Sequence, residues 1–162
     1  MKTDKRSLLI AAAGVLFVAA VAVASLTAWT FWSDRQAEQN RASSAEAAQR
    51  TVEALFSYDF NNVDNQLATA AENLTSTYRD DYMKVIAQQA IPAAKETKLT
   101  VRTTAQASGV ISTSRDSATI LVFANQLFMR GDSDQKTITG SRLQVELTKQ
   151  DGQWLVSNII PV

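Results

Sequence analysis

The sequence predicts an α+β protein in which a membrane-spanning helix precedes three helices and then four antiparallel strands. Three observations support this prediction. An uncharged, largely apolar run occupies residues 8–32. Apolar residues then recur with the helical period of 3.6 as far as residue 98, and with the strand period of two from residue 99 onward. Helices followed by strands that short turns connect are typical of the α+β class.

The first element is a predicted membrane anchor. Leu8–Trp32 contains no charged residue and spans roughly 37 Å as a helix, against about 30 Å for the hydrocarbon core of a bilayer. Trp29 and Trp32 close the run, and we expect them to act as membrane-interface anchors. The flank at residues 1–7 carries a net charge of +2, which predicts a cytoplasmic tail. The rest of the chain is then extracytoplasmic.

A cleaved signal peptide is the alternative for this segment. Ala22-Val23-Ala24 offers a small-x-small cleavage pattern before Ser25. The apolar run nevertheless continues to Trp32, which is longer than a signal peptide needs, so the anchor is favoured. Both interpretations place residues 33–162 outside the cytoplasm.

Composition excludes several classes of function. The chain has 162 residues, with 16 Lys and Arg against 16 Asp and Glu, so no net positive charge favours nucleic acid. It has neither Cys nor His, which excludes disulfides, thiolate or histidine metal sites, cysteine nucleophiles and the Ser–His–Asp triad. We therefore expect no catalytic residues, no cofactor and no metal, and predict that the protein is not an enzyme.

Helices occupy the first half of the exported part. Residues 33–44 are polar all round and predict a solvated helical stalk, followed by an extracytoplasmic domain over residues 45–162. An apolar stripe starts at Ala45, and a short second helix is expected from Val63. Thr77 and Asp80 resemble a capping box that would open the third helix, which Pro92 should end or kink.

Four strands follow. Alternation predicts strands from Leu99 to Ile111, Ala118 to Met129, Thr137 to Lys149 and Trp154 to Ile160. The second strand has apolar residues at both odd and even positions, which predicts a central strand covered on both faces. Turn residues separate the strands, and Asp151-Gly152 is a tight hairpin signal. Arg130-Gly131-Asp132-Ser133 matches an adhesion tripeptide and its usual follower, but we interpret it as a hairpin tip.

Several motifs resemble those of the Mce-associated membrane protein family, whose domain has the nuclear transport factor 2-like, or polyketide cyclase-like, cone fold. The motifs are Glu46-Ala-Ala-Gln-Arg50, Tyr78-Arg-Asp-Asp-Tyr82, Ser117-Ala-Thr-Ile-Leu-Val122, Ser141-Arg-Leu-Gln-Val-Glu-Leu147 and Asp151-Gly-Gln-Trp-Leu-Val-Ser157. The resemblance covers the whole chain. It implies about three helices on a curved sheet, in an accessory subunit of the actinobacterial cell envelope that serves Mce-type lipid importers.

Cone folds often hold a pocket between sheet and helices. Tyr82, Asn125 and Gln126 are the candidate pocket-lining residues, because the two amides interrupt an otherwise apolar strand and would need hydrogen-bond partners. Steroid isomerases of this shape use a carboxylate with tyrosine. The tyrosines with neighbouring carboxylates are Tyr58 with Asp59, and Tyr78 or Tyr82 with Asp80 and Asp81.

The predicted function is that of a single-pass accessory protein that supports the assembly or stability of an Mce-type sterol or fatty acid import complex. Its expected partners are the bilayer and protein subunits of the transporter. The alternative is an apolar-ligand-binding or steroid-isomerase-like domain tethered at the membrane. Both interpretations place the N-terminus in the cytoplasm and the domain outside the cell membrane.

Overall fold

The computed structural model of the protein describes residues 36–131 and 136–162. The chain divides into two units, Met1–Glu38 and Gln39–Val162. In the first unit the described residues, 36–38, are helical. The predicted anchor with Trp29 and Trp32 lies outside the described residues. Among those that are described, no helix is both long and apolar enough to cross a membrane.

In the second unit, helices come first. Helix α1 covers residues 39–55, α2 covers Val63–Ala70 and continues as a 3₁₀ turn at Ala71–Asn73, and α3 covers Ser76–Val85. The predicted capping box at Thr77 is wrong. Helix α3 begins one residue earlier, and Thr75 takes the N-cap position with no side-chain capping bond.

Pro92 does not end the helical region. A π-helical stretch, Ile86–Ala90, follows α3 and leads directly into α4, Ile91–Glu96. Pro92 occupies the second position of α4, where its missing N–H needs no partner within that helix. The expected interruption of the third helix is therefore a local change in its hydrogen-bond pattern, from α-helical to π-helical, just before Pro92.

The second half is a four-stranded antiparallel meander. Strands β1 (Leu99–Thr113), β2 (Ser117–Arg130), β3 (Lys136–Gln150) and β4 (Gln153–Pro161) lie in the order β1-β2-β3-β4. The predicted α+β class, with helices packed on four antiparallel strands, is confirmed.

One face of the sheet and the helices share the main core. Leu74, Ile120, Val145 and Val156 are each fully buried in it. Buried apolar area of this kind contributes roughly 25 cal/mol per Å² to folding. Val63, Leu67, Ile86 and Ala94 form a smaller cluster among α2, the π-helical stretch and α4.

The prediction that β2 is covered on both faces is wrong. Ala118, Ile120, Val122 and Ala124 are buried, but the opposite parity is half-exposed or exposed, with Phe123 40% accessible. The helices cover only one face of the sheet. Apolar residues at both odd and even positions of β2 therefore indicate that one apolar face is left uncovered, not that the strand is covered on both faces.

The predicted stalk differs from expectation in its second half. Asn40 and Ser44 are buried. The Asn40 amide donates to the carbonyls of Ser114 and Arg115 at 3.4 Å, and its Oδ1 accepts from Lys149 Nζ at 3.0 Å. From residue 40 onward the helix is thus attached to the sheet. The predicted domain limits themselves stay predictions.

Candidate functional site

A cleft of about 430 Å³ opens between the helices and the sheet. Phe56 comes from the segment that follows α1, and Tyr78 comes from α3. Gln126 of β2 and Ile159 of β4 lie across from them. The other lining residues are Gly140, Ser141, Arg142, Leu143, Pro161 and Val162.

Apolar surface slightly exceeds polar surface in this cleft, and the polar part includes a hydrogen-bonded pair. Ser141 Oγ donates to Gln126 Oε1 at 3.2 Å. The pair shares the inner face of the sheet because Ser141 faces Ala124, and Gln126 lies two residues further along the same strand. The volume of several hundred Å³ is in the range of small-molecule sites, and the cleft combines apolar walls with polar groups as such sites do.

The three predicted pocket residues have three different positions. Gln126 lines the cleft. Tyr82 packs against both clusters of buried residues and donates its hydroxyl to the Leu55 carbonyl at 3.1 Å. Asn125 is exposed on the opposite face of the sheet, so the expectation that burial would oblige it to find a partner is wrong.

Burial governs the acid–base properties of the tyrosines. It raises the pKa of Tyr78, an effect that a backbone contact with Ile159 partly opposes. Burial, followed by the neighbouring Tyr78 and Tyr58, raises the pKa of Tyr82 well above its usual range. These phenols are therefore protonated at neutral pH and can donate hydrogen bonds but cannot act as bases.

The tyrosine–carboxylate pairs that the sequence singled out do not meet in the cleft. Asp80 and Asp81 are exposed on α3, where Asp81 lies 3.4 Å from Lys84. None of the ten lining residues carries a side-chain carboxylate. Within residues 36–131 and 136–162, no group of three acidic side chains is placed to hold a metal ion.

Asp59 lies elsewhere, where the segment after α1 pairs with the start of β1. Its Oδ1 accepts from the Asn61 backbone at 2.9 Å and the Asn61 side chain at 2.8 Å, and its Oδ2 accepts from Thr100 at 3.0 Å. The backbone and side chain of Asn61, then Thr100, lower the pKa of Asp59. This carboxylate holds the local turn together, next to the bridge between Tyr58 and Val101.

Sequence reasoning missed most of the cleft. Phe56, Ile159 and Pro161 come from segments about 100 residues apart, so no local spacing links them. The one sequence signal for the cleft was the pair of amides, Asn125 and Gln126, that interrupts the apolar strand β2. Of these two alternating positions, only Gln126 lies on the face of the sheet that the helices cover.

Comparison with known proteins identifies relatives of this chain. The model of the family described as uncharacterized protein Rv1363c/MT1408-like matches residues 6–162. The protein named outer membrane protein Rv1973, of Mycobacterium tuberculosis, is 34% identical over 139 residues, which cover 86% of each chain.

Solved structures show the same fold. An IcmL-like type IV secretion system protein from Legionella pneumophila matches with a TM-score of 0.64 at 15% identity, over 75% of this chain and 93% of that one. The periplasmic domain of DotI matches with a TM-score of 0.63 at 16% identity, over 73% and 91%. The cone-like arrangement predicted for the domain is thus shared with these two proteins.

Proposed function

This chain belongs to the Rv1363c/MT1408-like family, and we propose that it is a membrane-anchored accessory protein of the cell envelope. Its domain would support the assembly or stability of a multiprotein complex, for which an Mce-type lipid importer is the candidate. In this proposal the chain crosses the cell membrane once, with its N-terminus in the cytoplasm.

One combination of observations carries the proposal. A 25-residue uncharged run, long enough to span a bilayer, directly precedes a domain with the fold of a protein named as part of a type IV secretion system. The relative named outer membrane protein Rv1973 agrees with a place in the envelope. The motifs resembling the Mce-associated family narrow the candidate complex to a lipid importer.

Crosslinking in native envelope membranes, followed by mass spectrometry, tests this proposal. We expect crosslinks from the domain to subunits of an Mce-type transporter. A matched strain that lacks the chain should show lower levels of those subunits. Recovery of no transporter subunit from a well-crosslinked sample would contradict the importer role.

A second candidate function rests on the cleft. Phe56, Tyr78 and Ile159 offer apolar contacts, and the amide of Gln126 offers a polar one, which suits a sterol or an acyl chain with a single polar head. A ligand at about 100 times its Kd stabilises the folded state by about 2.7 kcal/mol, which raises the Tm by about 10 °C in a domain of this size.

Thermal unfolding with a panel of sterols and fatty acids tests this candidate. Ile159→Trp should fill the cleft and abolish the shift, whereas Ile138→Trp, at a side chain that is 70% exposed and does not line the cleft, should keep it. A Tm that no ligand changes at saturation would eliminate the second candidate.

A further inference from the structure

Strand β3 is paired on one side over only part of its length. β4 faces β3 only from Leu143 onward, and beyond that pair Val162 N–H donates to the Arg142 carbonyl at 3.0 Å. In the part of the chain that the structure describes, no strand or bridge pairs with residues 136–141 on this side. We call residues 136–141 the open edge.

The open edge presents a regular row of backbone groups. The N–H and C=O of a strand residue point to the same side, and the side alternates from one residue to the next. Because the Arg142 carbonyl points toward β4, the backbone groups of Gly140, Ile138 and Lys136 point the same way. Three donors and three acceptors are therefore available to an incoming strand.

Most of the usual protections against strand pairing are absent from this stretch. Sheet edges are commonly blocked by proline, by charges along the strand or by bulges. Residues 136–141 contain no proline, and their pairing with β2 shows no register shift. The stretch carries one charge, on Lys136 at its start, and Arg142 follows directly after it. Ile138, which lies between these two charges, is 70% exposed.

The cleft lies directly beside the open edge. Gly140 and Ser141 line it together with Phe56, Tyr78 and Ile159. Side chains of an added strand would alternate between the two faces of the sheet. Those on the helical face, next to Ser141, would lie over the apolar wall of the cleft.

We propose that the open edge binds an extended segment of a partner protein as a fifth strand, with an apolar side chain in the cleft. An acidic side chain of that segment pairs with Lys136 or Arg142, since no described carboxylate forms an ion pair with either. Strand addition of this kind takes affinity from main-chain hydrogen bonds and specificity from alternate side-chain pockets. The inference rests on the proposed function, because it names the surface that would contact a partner subunit.

A second copy of the chain fits this edge less well. Antiparallel self-pairing that engages all three edge-facing residues sets Ile138 opposite Ile138 and Lys136 opposite Gly140, which places Lys136 of each copy diagonal to Arg142 of the other. Long side chains on diagonal neighbours are within reach of each other, so these like charges repel. A partner segment with an acidic residue at one of these positions replaces that repulsion with attraction.

A random peptide display library, panned against the full chain in detergent micelles, tests the inference. We expect recovered peptides to carry apolar residues at alternate positions and an acidic residue near one end. Addition of a recovered peptide should slow hydrogen exchange at the amides of Ile138 and Gly140 at least tenfold.

A matched pair of variants at one position isolates the backbone contribution. Gly140→Pro removes an edge-facing N–H without removing a bond to β2, and should weaken peptide binding at least tenfold. Gly140→Ala keeps that N–H, and its Cβ would meet Asn125 Oδ1 at an ordinary 3.7 Å, so binding should be retained. Either Lys136→Glu or Arg142→Glu should weaken the binding of acidic peptides, because each reverses one of the two charges that the peptide's acidic side chain can pair with.

Several results would overturn the inference. These are recovery of no peptide, equal binding by the proline and alanine variants when both are folded, or unchanged binding of acidic peptides to both Lys136→Glu and Arg142→Glu. A dimer that light scattering detects and Gly140→Pro abolishes would assign the edge to a second copy instead. If peptides bind the edge but no transporter subunit crosslinks in membranes, the importer role fails and the edge site stands.

Discussion

Replacement of Arg79 should show how much one side chain contributes to the junction between α2 and α3. Its guanidinium donates from Nε to the Ala71 carbonyl at 2.8 Å, and from Nη2 to the carbonyls of Glu72 and Leu74 at 3.0 and 3.3 Å. The last carbonyls of a helix have no partner within it. Arg79 therefore caps the 3₁₀ turn that ends α2.

The expected magnitude follows from these bonds. A hydrogen bond from a charged donor contributes about 1.5–3 kcal/mol when its partner is buried. The Glu72 contact is exposed and should contribute little, so two effective bonds remain. Two such bonds would contribute about 3–6 kcal/mol if fully buried, and both are only partly buried, so the lower end of that range applies. Arg79→Met, which keeps the aliphatic stem, should therefore lower the free energy of unfolding by about 3 kcal/mol and the Tm by about 10 °C.

Arg79→Lys separates geometry from charge. An ammonium keeps the positive charge near the helix end, an effect of about 0.3–1 kcal/mol, but cannot match the planar fork. We expect Lys to recover no more than about 1 kcal/mol of the loss. Urea unfolding of the full chain in micelles, followed by far-ultraviolet circular dichroism, measures both variants. Wild-type stability of Arg79→Lys, or a loss under about 0.5 kcal/mol for Arg79→Met, would refute the capping role.

Three further predictions concern acid stability, the core and topology. Hydrogen bonds lower the pKa of Asp59, so its contribution to stability is present above its ordinary pKa of 3.8 and is lost as pH falls through the lowered value. Below about pH 4, the urea midpoint of the wild type should therefore drop more steeply than that of Asp59→Asn. Parallel curves of midpoint against pH would contradict this. Leu74→Ala, at a side chain with 0% exposure, should cost about 2–5 kcal/mol in chemical unfolding, and a loss below about 1 kcal/mol would refute close packing there. Because the chain has no cysteine, a single introduced cysteine reports its own position. A membrane-impermeant maleimide should label Gln153→Cys but not Thr3→Cys in intact cells. The reverse pattern would place the N-terminus outside the cytoplasm and contradict the proposed topology.

The strands were predictable because their signals are local. The predicted strand limits fall within a few residues of β1 to β4, since period-two alternation and turn chemistry both lie in the printed sequence. At Asp151-Gly152 both residues have positive φ, 49° and 82°, as the tight hairpin signal requires.

The site was less predictable because it depends on which face the helices cover. Apolar residues at both parities of β2 fit either two covered faces or one covered and one exposed apolar face, and only tertiary packing decides between them. Asn125 and Phe123 lie on the uncovered face. The open edge arises from the unequal lengths of β3 and β4, which no pattern within either strand reports.

The contact between Leu74 and the last strand has a consequence for the order in which the fold can form. A parallel bridge joins Leu74 to Val156, and the Thr75 N–H donates to the Val156 carbonyl at 2.9 Å. The ribosome synthesises the described helices before the strands. The apolar faces of these helices therefore stay exposed until the strands have been synthesised. The main core of the nascent domain therefore cannot close until β4 has been synthesised, and the helices expose apolar surface that favours aggregation until then.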